Sequence, residues 1–126
     1  MFKTILIGLT MLSFLLISLS SMSHAQATNI KVLMKTSKGD ITIELNSSKA
    51  PISVKNFLSY VDENFYDGTI FHRVIKGFMI QGGGYTKEFH KKPVKPPIKN
   101  EAANGLKNGR GTLALARTME VNSATC

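Results

Sequence analysis

Short apolar segments separated by turn residues constrain the fold of this chain more than any other feature. From residue 30 onward these segments are four to seven residues long, and most are flanked by glycine, asparagine or aspartate. Segments of that length with turn signals between them are typical of short strands, and frequent turns favour a β-barrel or a β-sandwich. The sequence predicts five strands, at residues 30–35, 41–45, 69–75, 78–81 and 111–116.

The first two strands are predicted to form an antiparallel hairpin. Residues 41–45 alternate between apolar and polar side chains, as in a half-buried strand, and residues 37–40 supply a turn that includes Gly39. A helix is predicted next, because Pro51 suits its first turn. Apolar residues follow at helical spacing, and we interpret this stripe as core rather than as a partner site: Val54, Phe57, Leu58 and Val61.

The stretch from residue 82 to residue 107 reads as irregular. It begins with Gly82-Gly83-Gly84, interpreted as a tight turn because no Lys-Ser or Lys-Thr follows as in a phosphate loop. Seven basic residues are concentrated in this stretch and just after it: Lys87, Lys91, Lys92, Lys95, Lys99, Lys107 and Arg110. A basic cluster can attract nucleic acid or anionic lipid. We favour a solvated loop, since Phe89 is the single aromatic residue between the lysines that could stack on bases.

Residues 1–25 have the pattern of an export signal peptide. Lys3 precedes an apolar run that is interrupted by polar residues and short for a membrane span, and Ala25 or Ala27 offers a cleavage site. An uncleaved anchor is the alternative. Cleavage after Ala25 leaves 101 residues (26–126), enough for one domain, in the periplasm or secreted, without stable membrane insertion. Cys126 is the only cysteine, so an intramolecular disulfide is excluded.

Residues 71–83 gather the side chains that a reaction without covalent chemistry needs. Arg73 is a permanently charged donor, Phe78 and Met79 are large and apolar, and Gln81 carries an amide. No nucleophile, phosphate loop or metal-ligand spacing accompanies them, so no metal site is expected. Rotation about a prolyl amide breaks no bond and therefore suits this set.

Rotation about an X-Pro bond crosses a barrier of about 18–20 kcal/mol because amide resonance is lost midway. A catalyst must hold the proline ring in an apolar pocket and bind the flanking peptide. It must also donate a hydrogen bond to the prolyl nitrogen, which is pyramidal in the twisted state. Arg73 is the predicted donor, although a surface salt bridge would also suit it. Phe78 and Met79 are predicted to floor the pocket, with ordinary core as the alternative, and Gln81 to bond the substrate backbone. His72 has no acid or hydroxyl partner in sequence reach and is interpreted as structural.

Residues 71–83 resemble the signature of the cyclophilin-type peptidyl-prolyl isomerases, and the chain is most similar to the periplasmic bacterial members. Further segments extend the resemblance in order over nearly all of the chain after residue 25: 56–57, 65–68, 96–101, 111–116 and 122–125. The resemblance implies a closed, eight-stranded antiparallel barrel capped by two helices. It also implies isomerisation of X-Pro peptides without any cofactor.

Carried over by position, Arg73 is the catalytic arginine, Phe78 and Met79 line the proline pocket, and Gln81 contacts substrate. Ala116 and the backbone of Arg117 border the groove. The implied partners are proline-containing peptides and unfolded exported proteins, not nucleic acid, and a monomer is expected.

The family continues from its Ser-Ala-Thr motif into a Gln-Phe-Phe strand, further strands and the second helix, whereas this chain stops at Cys126. The expected fold is therefore mainly β: an incomplete eight-stranded barrel with one of the two capping helices. Since closure is what removes the edges of a barrel, we expect this chain to be unstable and weakly active or inactive.

Three alternatives to an exported isomerase stay open. One is a binding or chaperone module that holds proline-containing segments without turning them over. Another is an inactive truncated fragment. The third is nucleic-acid binding through residues 87–110, which predicts a steep salt dependence of affinity.

Overall fold

The computed structural model describes residues 30–126. In chain order these form β1 (Ile30–Thr36), β2 (Gly39–Leu45), α1 (Pro51–Asp62), β3 (Thr69–Ile75), β4 (Met79–Thr86) and a short 3-10 helix (Ala102–Asn104). The predicted mainly β fold with antiparallel strands and one helix is confirmed at this level. The predicted signal peptide lies outside the described residues.

Strands β1 and β2 form the predicted antiparallel hairpin. Their register runs from Ile30 opposite Leu45 to Thr36 opposite Gly39. The Thr36 hydroxyl closes the turn by donating to the Gly39 carbonyl (2.7 Å), and Gly39 has a φ of 122°, which a side chain disfavours. Alternation places Lys31 on the solvent side, whereas Leu45 is buried.

Helix α1 begins at the predicted proline and carries the predicted apolar stripe. Val54 is buried, and the other three residues of the stripe are half-buried. The most buried residue, however, is Tyr60 (1 % exposed), which lies outside that stripe. Its ring packs against Phe65 and Tyr66, with centroids 4.6 Å and 6.0 Å away. The aromatic residues that follow the helix therefore complete the core.

The first turn of α1 is capped from a distant part of the chain. Ala50 provides no side-chain cap. Instead, the Glu101 carboxylate accepts hydrogen bonds from the backbone N–H groups of Ile52 (3.0 Å) and Ser53 (2.8 Å). Partial burial would raise the pKa of this carboxyl, but the hydrogen bonds from Ser53 and Ile52 outweigh it and lower the pKa. A negative charge at this end also complements the helix dipole.

The observed bounds of strand β4 differ from the prediction at both ends. The strand begins at Met79 rather than Phe78 and continues through the three glycines to Thr86, so the tight turn and the irregular stretch predicted from residue 82 are wrong there. The glycines allow close approach to neighbours. A Cβ on Gly82 would lie 2.8 Å from the Phe71 ring, and Gly83 has a φ of 95° and faces the ring of Tyr66. Close approach of this kind is a recognised reason for glycine in a strand.

The predicted strand at residues 111–116 is wrong. Residues 111–116 carry no strand hydrogen bonds, and a turn closes just before them, where the Thr112 N–H donates to the Gly109 carbonyl (3.3 Å). A strand requires a neighbour to pair with, and no strand within residues 30–126 lies beside this segment. This apolar segment is thus not part of a sheet in the described residues.

Two lysines of the basic stretch are structural rather than simply solvated. The Lys95 ammonium donates to the Glu63 carboxylate (2.6 Å) and to the carbonyl and hydroxyl of Ser59 (3.1 and 2.9 Å). The Lys95 N–H also donates to the Tyr60 hydroxyl (2.7 Å). Lys92 donates to the Phe65 carbonyl and lies over its ring, 4.6 Å from the centroid. These contacts fasten residues 92–95 to the end of α1.

The C-terminal residues pack on the same helix. Ala124 is buried, and its carbonyl accepts from the Ile98 N–H (2.9 Å). The Asn56 side-chain amide donates to the Thr125 carbonyl. Two of the four buried side chains of the described residues, Val54 and Tyr60, therefore lie on α1, and the other two are Leu45 and Ala124.

The four strands form two separate two-stranded sheets, β1–β2 and β3–β4. A closed barrel is not formed by residues 30–126, and the eight-stranded barrel stays a prediction. Within the same range, no helix has the length and apolar character needed to cross a membrane.

Candidate active site

The β3–β4 hairpin brings together three of the predicted site residues. Arg73 pairs directly with Gln81, and Ile75 pairs with Met79. Residues directly opposite one another in an antiparallel pair, and residues two apart on one strand, share a face. Arg73, Met79 and Gln81 therefore lie on one face of this hairpin, which we call the Arg73 face.

The Arg73 guanidinium is available to a ligand. The side chain is exposed, and it has no ion pair with any other residue in the part of the chain that the structure describes. The surface salt bridge considered as an alternative for Arg73 is therefore not formed there. Gln81 and Met79 are half-buried, which limits their motion beside it.

Phe78 stands apart from these three. It lies in the turn that joins the strands, where its N–H donates to the Ile75 carbonyl (3.1 Å) and Gly77 has a φ of 75°. A positive φ at the third turn position is the feature that glycine supplies in a type II turn. The Phe78 side chain is 78 % exposed. Residues 30–126 thus do not form an enclosed proline pocket from Phe78 and Met79.

Ala116 and Arg117 lie in the irregular segment before the C-terminus. Both are exposed, and the Arg117 guanidinium donates to the carbonyl of its neighbour Thr118 (2.8 Å). No strand pairing joins this segment to the β3–β4 hairpin in the described range. The structure therefore does not bring these two residues to the Arg73 face, and their predicted role stays a prediction.

Two grooves lie along α1 instead. They are shallow, with volumes of about 440 and 490 Å³, and share Pro51, Lys55 and Ser59 in their walls. None of the predicted site residues lines either groove. The candidate site is therefore defined by the Arg73 face and not by a cavity.

Aromatic contacts stand beside the candidate site. The His72 ring packs on Tyr85, with centroids 4.6 Å apart and planes at 53°. Neither the buried Nδ1 of His72 nor the buried hydroxyl of Tyr66 has a hydrogen-bond partner among residues 30–126. Burial, followed by the proximity of Cys126 and Tyr60, raises the pKa of Tyr66 well above its usual value. Sequence reasoning missed Tyr85, since no spacing rule relates it to His72.

Comparison with known proteins decides the family. The family model described as "Cyclophilin type peptidyl-prolyl cis-trans isomerase/CLD" matches residues 31–126. The chain belongs to this family. The match spans both hairpins, α1 and the segment that holds Ala116 and Arg117, so it includes all of the predicted site residues.

Bacterial relatives agree with this assignment. The chain is 55 % identical over 105 residues to peptidyl-prolyl cis-trans isomerase A of Dickeya dadantii, covering 83 % of this chain and 55 % of that protein. It is 62 % identical over 103 residues to a peptidyl-prolyl cis-trans isomerase of Acinetobacter baylyi (82 % and 54 %). With isomerase B of Escherichia coli the identity is 61 % over 94 residues (75 % and 57 %). This cyclophilin-type chain spans about half the length of the curated relatives it matches.

Proposed function

We propose that this chain carries the catalytic hairpin of a peptidyl-prolyl cis-trans isomerase that acts on X-Pro bonds. Family membership supports the reaction type. The observation that carries the proposal is the pairing of Arg73 with Gln81, which sets a cationic donor and an amide side by side on one face. Because the chain spans only about half the length of the relatives named as isomerases, the activity is proposed rather than transferred.

In the proposed mechanism each side chain on the Arg73 face has a separate task. Gln81 bonds the substrate backbone beside the proline, and Met79 contacts the ring. Arg73 donates to the prolyl nitrogen, which gains a localised lone pair only when the amide is twisted. That hydrogen bond is stronger in the transition state than in the ground state, and this difference is what accelerates rotation. No covalent step and no cofactor enter.

The pocket that completes this site is also proposed. In the closed, eight-stranded barrel that the resemblance implies, of which residues 30–126 form four strands, Phe78, Ala116 and the backbone of Arg117 are placed around the substrate. Large apolar residues on β3 and β4 support such closure, because Val74 and Ile80 are 67 % and 54 % exposed. A contiguous exposed apolar surface is typical of a face that another element covers.

We further propose that the protein acts in the periplasm or after secretion, as a monomer, on unfolded exported proteins that contain proline. The support is the signal-like pattern of residues 1–25.

The activity is tested by measuring cis-trans exchange in a proline-containing peptide by NMR with the full chain. Replacement of Arg73 by alanine should lower the exchange rate by about 10- to 150-fold, because a charge-assisted hydrogen bond contributes about 1.5–3 kcal/mol. Arg110→Ala, a change at another exposed arginine, should leave the rate unaltered. An Arg73→Ala variant as fast as wild type would contradict the proposal.

A non-catalytic binding module is the second candidate, because Phe78 is exposed and no enclosed pocket forms in the described residues. Peptide binding in the same NMR experiment without enhanced exchange would favour it. Under the isomerase proposal, Arg73→Ala weakens peptide affinity far less than it lowers the exchange rate.

A further inference from the structure

Next to Arg73, strand β3 has one residue more than the paired part of β4. From the turn outward, Ile75 pairs with Met79, Val74 with Ile80, and Arg73 with Gln81. The next pair is Phe71 with Gly82 rather than His72 with Gly82. His72 is therefore an extra residue on β3, which makes this position a β-bulge.

The bulge changes which face Phe71 occupies. In an unbroken strand, residues 71 and 73 would point to the same side, because side chains alternate with a period of two. With His72 inserted, Phe71 pairs with Gly82, which neighbours Gln81 on β4, and so takes the opposite face. Arg73 thereby keeps a face that the Phe71 ring does not occupy.

An aromatic contact holds the extra residue in place. His72 packs on Tyr85 at 4.6 Å, and it is half-buried whereas Arg73 beside it is exposed. Tyr85 is itself fixed, since it forms an isolated bridge with Lys91 and its neighbour Gly84 accepts from the Lys92 N–H (2.9 Å). Close contacts between aromatic rings stabilise a local conformation beyond the area they bury.

The His72 imidazole acts through its size and shape and not as a general acid or base. Its Nδ1 is buried and has no hydrogen-bond partner within residues 30–126. A general base needs a hydrogen-bonded partner that orients it, and none is built here. An apolar ring of similar size should therefore serve at this position, because removing an unsatisfied polar atom is neutral or favourable.

We propose that His72 is the positioning residue of Arg73: its ring, packed at a tilt against Tyr85, maintains the bulge that keeps Arg73 opposite Gln81 on an unobstructed face. The inference rests on the proposed function for its catalytic consequence, but the placement itself is testable without turnover. Because a misplacement of about 1 Å can cost about 100-fold in rate, loss of the contact between the two rings should be visible in kcat.

The placement is tested by NMR on the full chain, through cross-strand contacts between the Arg73 and Gln81 side chains. His72→Ala should abolish these contacts, and His72→Phe should retain them. Contacts that persist unchanged in His72→Ala would overturn the proposal. So would their loss in a folded His72→Phe variant, because that result would make the imidazole itself, and not its shape, the essential feature.

Kinetics supply the second measurement. His72→Ala should lower kcat at least about tenfold with KM changed less than about threefold, and His72→Phe should stay within about twofold of wild type. In an Arg73→Ala background, His72→Ala should add nothing, because the two residues act as one unit. Additive losses would overturn the positioning role. If Arg73→Ala leaves kcat unchanged, the proposed function is wrong. The NMR contacts between Arg73 and Gln81 then remain as the test of the placement of Arg73.

Discussion

Glu101 shows how a single side chain can organise an element far from it in sequence. Its two carboxylate oxygens bond separate N–H groups at the start of α1, so an amide replacement loses one acceptor and the charge. Glu101→Gln should therefore destabilise the protein at neutral pH by about 0.5–1 kcal/mol, a small value because the carboxylate is partly solvated. Thermal unfolding of the variant at pH 7 measures this, with Glu120→Gln as the matched control at an exposed acid.

The same carboxyl gives stability a definite pH dependence. Its pKa is lower in the folded protein than the value of about 4.3 for an unfolded glutamate. Its contribution is therefore fully present above that unfolded value and is lost as pH falls through the folded pKa. The stability difference between wild type and Glu101→Gln should shrink at acid pH. A difference that stays constant down to pH 2 would contradict the capping role.

Residue types near the candidate site could be predicted from the sequence, but their partners could not. Arg73 and Gln81 were assigned to adjoining short strands, and the hairpin that joins them fixed their pairing. Glu101 and Tyr60 have partners 35 to 49 residues away. No local periodicity encodes such distances, so the cap and the most buried ring became visible only in the folded chain.

Among the elements, the segment at residues 92–95 is held mainly by Lys95. Its ammonium binds Glu63 and Ser59 at the C-terminal end of α1 and lies 4.9 Å from the Tyr60 ring centroid. A cation there complements the helix dipole, and the combined contacts should exceed those of an isolated surface ion pair. We expect Lys95→Met, which keeps the apolar stem, to lower the free energy of unfolding by about 1–2 kcal/mol.

Lys87→Met is the control for this prediction. Lys87 is 82 % exposed and forms only a 3.7 Å contact with Glu88, so its loss should change stability by less than about 0.5 kcal/mol. Chemical unfolding of both variants provides the comparison. Equal effects at the two positions would show that Lys95 is an ordinary surface charge.

Elements defined by local pattern were predictable, whereas elements that need a distant neighbour were not. Pro51 and the apolar stripe located α1, alternation located β2, and short apolar segments located β1 and β3. Residues 111–116 were also predicted as a short strand, yet they form none because no partner strand lies beside them in the described range. Strand β4 was predicted too short, because its glycines are turn formers in isolation and become strand residues only where Phe71 and Tyr66 approach them.

At the scale of the whole molecule, the most prominent feature is the large amount of apolar surface that is exposed to solvent. Only four side chains in residues 30–126 are buried core, whereas Phe78, Val74 and Leu113 are each more than half exposed. The chain should therefore bind a hydrophobic dye at neutral pH. Dye fluorescence measures this, and a chain that leaves the fluorescence of the dye unchanged would contradict it.

The separation of the strands into two sheets could not be predicted from the sequence. Alternating patterns specify which face of a strand is apolar, but not which sheet will cover that face. The resemblance implied a closed barrel, and the described residues contain two open hairpins with α1 between them in the chain.

The cap on α1 has a consequence for biosynthesis. The carboxylate that completes the helix lies 49 residues downstream of Ile52, so the ribosome finishes α1 long before it adds Glu101. Domains begin to fold as they emerge. Until Glu101 emerges from the exit tunnel, the N–H groups in the first turn of the nascent helix are therefore hydrated. The cap forms only when the later segment has left the ribosome.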